Sequence, residues 1–531
     1  MSAKPHSSNS LVREHKALCF AHAFPASKAA CRDTGRQLRE FAKRVQDLPE
    51  SEQYRLWDTG IAGTRIHYRF SFEVARWLAK KCPGAVTIDW EEIGDTSRLD
   101  ELLRAALHAA EDEFFDSGYV TTREWLEHAL AGSQATDFDW LMAQMQERRL
   151  RPMWTQLYDA ADIPLVWSLG ASRYSKSRNI VPIRNVRTRE HGMRGRPRFA
   201  KAEIQRPLHT VVQLSPREGS RLVDVAMASL AVRHRETFHF NYANPGEVYI
   251  ADVGAGVSVA IFGLLPGYRF PLECTMGYLI LSNGVPIGYG GSSHVFRQAN
   301  TGVNLFDEYR GSEAAFLWTQ VMRVYHSLTG CTRFIANAYQ FGGGNTEALK
   351  SGAFWFYYRL GYRPVLPEIR KIARRESDRM RRNKDYRCNL GTLRTLASCD
   401  MHLTLPGAKQ SELFDEEYLT TSSMLATQVL GAAGGRTQAE SAALLARQVA
   451  RDIGINNLDK WSPSERRGLL AIAPIVAAVE PRNWDKDARR SMRELLRTKG
   501  GHNETRYAKL LCQHDNFLYS LKKACRRADS E

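Results

Sequence analysis

The spacing of apolar residues predicts alternating strands and helices between residues 277 and 364, and the rest of the chain is organised around this stretch. Two apolar, β-branched runs flank Asn283-Gly284, a dipeptide suited to the positive φ angles of a type I′ turn, and they predict a β-hairpin. A third run over 303–306 predicts another strand. After a polar turn at 307–312, apolar residues from Ala314 to Leu328 follow one helical face.

A further strand and helix complete the pattern. Residues 333–338 predict the strand, and the glycines at 342–344 interrupt the chain after it. A helix is predicted over 345–360, where Gly361 and the following Pro364 end it.

The start of the first of these helices has the features of a phosphate site. Arg310-Gly311-Ser312 follows a strand directly, so the first amide donors of the helix and the positive end of its dipole face outward. Such a helix start binds phosphate. Gly311 permits close approach of a ligand, and Arg310 can supply a bidentate charge. Alternatively, Gly311 only permits the turn and Ser312 caps the helix.

The order of these elements, the Arg-Gly-Ser-Glu-Ala helix start and the run from Ala353 to Tyr362 resemble the GNAT superfamily of acyl-CoA-dependent N-acyltransferases. The resemblance is clearest over 277–364 and weaker over 215–276. It implies an α/β fold, with a mixed, mainly antiparallel sheet and flanking helices.

The resemblance also implies a site. Coenzyme A, carrying an acetyl or another acyl group, would be bound by the helix start and the residue that opens the second helix, namely Arg310, Gly311, Ser312, Glu313, Ala314 and Asn345. The catalytic residues would be Tyr357, which would protonate the departing thiolate, and Glu308, which would accept the proton of the amine. No metal is expected.

Two features keep other interpretations open. Glu308 and Glu313 stand where the family commonly has an Arg or Gln and a small residue, and their charge would repel a pyrophosphate. Tyr357 lies on a helix that is apolar nearly all round, as buried helices are. It is therefore also a candidate core residue, and Glu308 is also a candidate for a solvated turn.

Composition narrows the class of protein. The 531 residues, 43% hydrophobic and 25% charged, are ordinary for a globular chain of two to four domains. No apolar run approaches the roughly 20 residues that span a bilayer, and no secretory signal is expected. Nine cysteines without CxxC pairs fit a reducing cytoplasm.

The net charge of +16 indicates an anionic partner. Residues 173–206 hold eleven Lys or Arg against Glu190 and Glu203, an excess of +9. A stripe of this kind can follow a nucleic-acid backbone, or it can be a solvated linker between domains.

Five segments are predicted from these patterns. They are a helical N-terminal domain (1–160), a basic connector (161–214), a GNAT-like acyltransferase domain (215–366), a basic linker (367–415) and a helical C-terminal bundle (416–531).

The function predicted from the sequence is transfer of an acyl group, acetyl in the first instance, from coenzyme A to an amine. The acceptor and the oligomeric state are left open. Two alternatives remain: a catalytically inactive GNAT-like module that binds nucleic acid, and a transferase that takes its acyl group from an aminoacyl-tRNA.

Overall fold

The computed structural model describes residues 7–190, 192–311 and 313–528, apart from the side chain of Arg148. Its helices are α1 Ser8–Ala23, α2 Lys28–Gln46, α3 Glu50–Tyr54, α4 Phe72–Lys81, α5 Ser97–Arg104, α6 Asp112–Phe115, α7 Thr122–Ala129, α8 Asp137–Gln144, α9 Arg151–Ala161, α10 Ala200–Gln205, α11 Pro216–Ala231, α12 Phe238–Asn241, α13 Ala314–Thr329, α14 Thr346–Lys350, α15 Ala353–Leu360, α16 Pro367–Arg382, α17 Leu390–Leu396, α18 Glu416–Ala432, α19 Gln438–Ile453, α20 Pro463–Ala477, α21 Lys486–Lys499, α22 Glu504–Gln513 and α23 Asp515–Ala528.

The strands are β1 Arg65–Tyr68, β2 Val86–Ile88, β3 Leu165–Ser168, β4 Val211–Gln213, β5 Ala243–Gly254, β6 Val257–Leu264, β7 Cys274–Ser282, β8 Val285–Val295, β9 Gln298–Thr301, β10 Asn304–Leu305, β11 Arg333–Ala336, β12 Arg363–Pro364 and β13 Met401–Thr404. The protein is therefore mixed α/β, with a mainly antiparallel sheet and flanking helices, as the sequence predicts.

The chain divides into two compact units. The first comprises residues 1–190, 221–242 and 282–286, and the second comprises 191–220, 243–281 and 287–531. The boundaries predicted from the sequence at 160, 214, 366 and 415 stay predictions.

The first unit is mostly helical but also contains a small antiparallel sheet. Within its described residues the strand order is β1-β3-β2. Ile66, Val86 and Trp167 are buried in it. Two of its strands, β1 and β2, lie in the segment 1–160, for which the sequence predicts helices alone.

The second unit is built on a larger sheet in the order β12-β13-β11-β9-β8-β7-β6-β5-β4, with β10 also paired to β8. Strands β9 and β11 pair in parallel, with Arg333 opposite Gln298 and Ile335 opposite Asn300. Helix α13 follows β10 and leads into β11, and its side chains are buried almost all round. Its polar side is covered as well as its predicted apolar face, because Gln320 donates to Glu203 and Arg323 donates to the carbonyl oxygen of Arg206, each at 2.8 Å.

Several predicted elements are confirmed. Asn283 and Gly284 have φ angles of 46° and 79°, as the predicted hairpin turn between β7 and β8 requires. Thr121 with Glu124, and Ser462 with Glu465, have the sequence pattern of a capping box, and both boxes are formed at the starts of α7 and α20. The single helix predicted over 345–360 is wrong, because Gly352 adopts a φ of 67° and separates α14 from α15.

Candidate functional site

The candidate site lies where the parallel strands β9 and β11 end. Strand β9 stops at Thr301, and the chain resumes pairing with β8 only at Asn304, so Gly302 and Val303 form a break between β9 and β10. Ligands of open sheets commonly bind beyond the carboxyl ends of parallel strands. The candidate site therefore comprises this break, the end of β11 and the helices that follow the two strands.

Two buried phenols meet at this break. The Tyr278 hydroxyl donates to the carbonyl oxygen of Gly302 at 2.6 Å. The Tyr357 hydroxyl, on α15, contacts the backbone of Val303, and the side chain is only 2% exposed. Burial raises the pKa of both phenols, so both stay protonated at neutral pH. Because Tyr278 already uses its single O–H on Gly302, the O–H donor that the site offers beside the interrupted strand is that of Tyr357.

Tyr357 is enclosed by other aromatic rings. The centroids of Phe341, Phe356 and Tyr362 lie 5.9, 5.3 and 5.2 Å from that of Tyr357. The core position that its apolar helix predicts is thus correct. Its contact with Val303 adds a polar neighbour at the strand break, so the two interpretations of this tyrosine are compatible.

The start of α13 differs from a simple phosphate site. The helix begins at Ala314, and its N-cap residue is Glu313, whose side chain makes no capping hydrogen bond. Glu313 is 1% exposed, and its Oε1 accepts a hydrogen bond from the backbone N–H of Arg194 at 2.8 Å. The guanidinium of Arg194 lies 5.1 Å from the centre of the Phe316 ring. A buried carboxylate therefore stands at the positive end of the helix, where its charge is favoured.

Arg310 and Gly311 lie in the turn before this helix, whereas Ser312 lies outside the described residues. Arg310 forms ion pairs with Asp307 at 3.0 Å and with Glu347 at 2.9 Å, and its side chain is about half exposed. Gly311 has a φ of 81°, and a Cβ built on it would meet nothing within 4 Å. Glycine is needed there for its backbone angle.

The remaining predicted residues are spread around the site. Glu308 is half-buried in the short 3₁₀ turn Asp307–Tyr309. Ala314 is the half-buried first residue of α13. Asn345 caps α14, because its side-chain oxygen accepts from the backbone N–H of Ala348 at 3.0 Å. Its observed role is structural.

Tyr278 and Gly302 were not predicted. Tyr278 lies inside a continuous apolar strand, and such a strand signals burial without indicating a polar contact. A Cβ on Gly302 would lie 2.2 Å from the side-chain oxygen of Gln340, so a larger residue there would require that side chain to move. Neither the hydrogen bond from Tyr278 to Gly302 nor the contact of Gly302 with Gln340 can be predicted from the spacing of residues in a sequence motif.

No metal site accompanies these residues. Within residues 7–190, 192–311 and 313–528, no group of three or more His, Cys, Asp or Glu side chains could hold a metal ion. In the same ranges, every helix is too short or too polar to cross a bilayer. No protein-family model, curated protein or solved structure matches the chain.

Proposed function

We propose that the protein is an N-acyltransferase of the GNAT type, which moves an acyl group, acetyl in the first instance, from coenzyme A to an amine. One observation carries this proposal. The buried Tyr357 phenol lies beside Val303, in the interruption between β9 and β10, at the carboxyl ends of two parallel strands. A protonated phenol in this position is able to donate to a leaving thiolate.

In the proposed reaction, the amine nitrogen attacks the thioester carbonyl carbon and the C–S bond breaks. Tyr357 delivers its proton to the sulfur, and Glu308 takes the proton that the amine loses, directly or through water. Because burial raises the pKa of Tyr357, the phenol remains in its acid form across the neutral range. To complete the cycle, the tyrosinate regains a proton from solvent and Glu308 releases to solvent the proton that it took.

Tyr357→Phe tests this role, with Tyr362→Phe as the matched control. Tyr362 is also a buried phenol, its ring centroid lies 5.2 Å from that of Tyr357, and its hydroxyl donates to the Met322 sulfur. We expect Tyr357→Phe to lower kcat by roughly 10²- to 10⁴-fold, as loss of a general acid does. The control should retain its rate. Release of free thiol from acetyl-CoA, measured with a panel of amines, reports both.

Binding of the donor is tested separately by calorimetric titration with acetyl-CoA. We expect saturable binding that strengthens in Glu313→Gln, because the variant removes a negative charge from the helix start that would hold the pyrophosphate. Absence of binding to the folded protein would refute the coenzyme-A donor. Full turnover by Tyr357→Phe would refute the acid.

The buried Glu313 favours a second candidate, transfer from an aminoacyl-tRNA. An aminoacyl-tRNA has no pyrophosphate that must bind at the start of α13, so the negative charge of Glu313 would not weaken its binding. The second candidate predicts no heat with acetyl-CoA, and it predicts salt-dependent binding of aminoacylated tRNA in a filter assay. The two titrations together distinguish the donors.

A further inference from the structure

The second unit contains a cavity of about 520 Å³ whose wall is strongly basic. Helices α10, α15 and α16 and strands β12 and β13 contribute to it, and its cationic lining consists of Lys201, Arg363, Arg370 and Arg374, with His402 beside them. Among the described residues that line it there is no Asp or Glu. A volume of this size suits a small molecule.

Two of the arginines are held in place by neutral groups. Arg363 donates through Nη1 to the carbonyl oxygens of Tyr358 at 2.9 Å and Tyr362 at 2.7 Å. Arg370 donates through Nε and Nη2 to the carbonyl oxygen of Pro364 at 3.1 and 3.0 Å. Carbonyl partners fix a guanidinium without neutralising its charge. Each arginine has five N–H donors, so donors remain for a ligand.

A buried arginine adds charge behind this wall. Arg333 opens β11 directly opposite Thr404, which lines the cavity, so both side chains lie on the same face of the sheet. Arg333 is 4% exposed, and its Nη1 has no hydrogen-bond partner within the described structure. Its charge also helps to lower the pKa of His402, although burial is the larger cause.

The carboxylate that acts electrostatically on Arg333 is already paired with another arginine. Glu412 influences Arg333 electrostatically, but it forms its ion pair with Arg297. An unpartnered buried guanidinium nitrogen is costly and calls for a compensating group. An anion in the adjoining cavity would provide that compensation.

We infer that this cavity binds a small molecule that carries two or more linked phosphate groups. The N–H groups of a guanidinium can form paired hydrogen bonds with phosphate oxygens. Several linked phosphates also carry enough negative charge to neutralise several cations, whereas a single phosphate neutralises fewer. The Tyr358 ring already contacts Arg363 at 4.3 Å and Phe354 at 5.9 Å, so it provides no open platform for a stacked base. The inference does not depend on the proposed acyl transfer.

The test uses the full chain and sodium tripolyphosphate as the probe, in calorimetric titrations at low ionic strength. Arg374→Gln and Lys201→Gln each remove one lining charge, and we expect each to weaken binding on the order of tenfold. Lys371→Gln is the matched control, because Lys371 is exposed on the same helix as Arg374 and lies outside the cavity wall. The control should bind as the unmodified protein does, and orthophosphate should bind more weakly than tripolyphosphate.

Thermal melting shows whether each variant is folded. No binding of tripolyphosphate by the folded protein would overturn the inference, and so would equal affinity in Arg374→Gln. The inference would also be overturned if a twelve-nucleotide RNA bound more tightly than tripolyphosphate and if Arg374→Gln and Lys201→Gln both lost that RNA binding. The basic wall would then be part of a nucleic-acid surface. Unchanged acetyl-CoA titrations in Arg374→Gln would show that the two sites are separate.

Discussion

Replacing Glu504 by glutamine should strongly destabilise the second unit, because Glu504 belongs to a buried cluster of four charges. Arg269 lies 2.9 Å from Glu247 and 3.2 Å from Glu504, and Lys499 lies 3.3 Å from Glu504. All four side chains are at most 2% exposed. The cluster ties the strand β5 to the helices α21 and α22. Burial raises the pKa of Glu247 to about 7, so the cluster has two positive and two negative members above that pH, and the comparison is made at pH 8.

The magnitude follows from the balance of charge. Glu504→Gln leaves Arg269 and Lys499 facing Glu247 alone, and an uncompensated buried charge costs about 3–5 kcal/mol. Lys499→Met leaves one excess negative charge and should cost a similar amount. The double variant keeps the Arg269–Glu247 pair and restores neutrality, so its cost should be about 2 kcal/mol or more below the sum of the single costs.

Hydrogen exchange measured by mass spectrometry reports these costs in the peptides that cover β5 and α22. We expect exchange in Glu504→Gln to be faster by roughly two to four orders of magnitude. Asp487→Asn is the control, since Asp487 pairs with Arg490 at 3.0 Å on the surface of α21 and should contribute under about 1 kcal/mol. Additive costs in the double variant would refute the reasoning, because they would mean that the two charges do not interact.

Three further predictions concern single positions. Gly284→Ala should lower the free energy of unfolding by about 2 kcal/mol or more in urea titrations, because the φ of Gly284 is 79° and a Cβ would lie 2.0 Å from the carbonyl oxygen of Val181. Gly118→Ala is the control: Gly118 has a φ of 69° and open space around it, so this change should cost only about 1 kcal/mol. Burial lowers the pKa of His294 to about 3, so the unfolded chain takes up this proton first as the pH falls. This one group should contribute roughly 2 kcal/mol to the loss of stability between pH 7 and pH 5, and the loss measured in His294→Gln should be smaller by that amount. Ser462→Ala removes the cap of α20 and should cost about 1 kcal/mol, measured as faster exchange in the first turn of that helix; unchanged exchange would show that the cap is dispensable.

Local patterns predicted the fold best where neighbouring residues decide the structure. The turn at Asn283-Gly284 and the capping box at Ser462 each depend on contacts within four residues, so the sequence is sufficient to predict them. Strand β13 was missed because Met401 and Leu403 form only a four-residue alternation inside a basic segment. That short strand is stable because it lies between β11 and β12, and a pairing partner so distant in sequence leaves no local signal.

The candidate site shows the same limit most clearly at Glu313. Residue types and helix phase predict a helix start near Gly311, but the contact that occupies Glu313 comes from Arg194, 119 residues earlier in the chain. A motif alone therefore does not distinguish a helix start open to phosphate from one that already holds a carboxylate. The same basic segment was predicted to be a nucleic-acid stripe or a linker, and neither interpretation includes this contact. If coenzyme A is the donor, its pyrophosphate must coexist with the Glu313 carboxylate or displace it, and this is why the charge of that one side chain should control donor affinity.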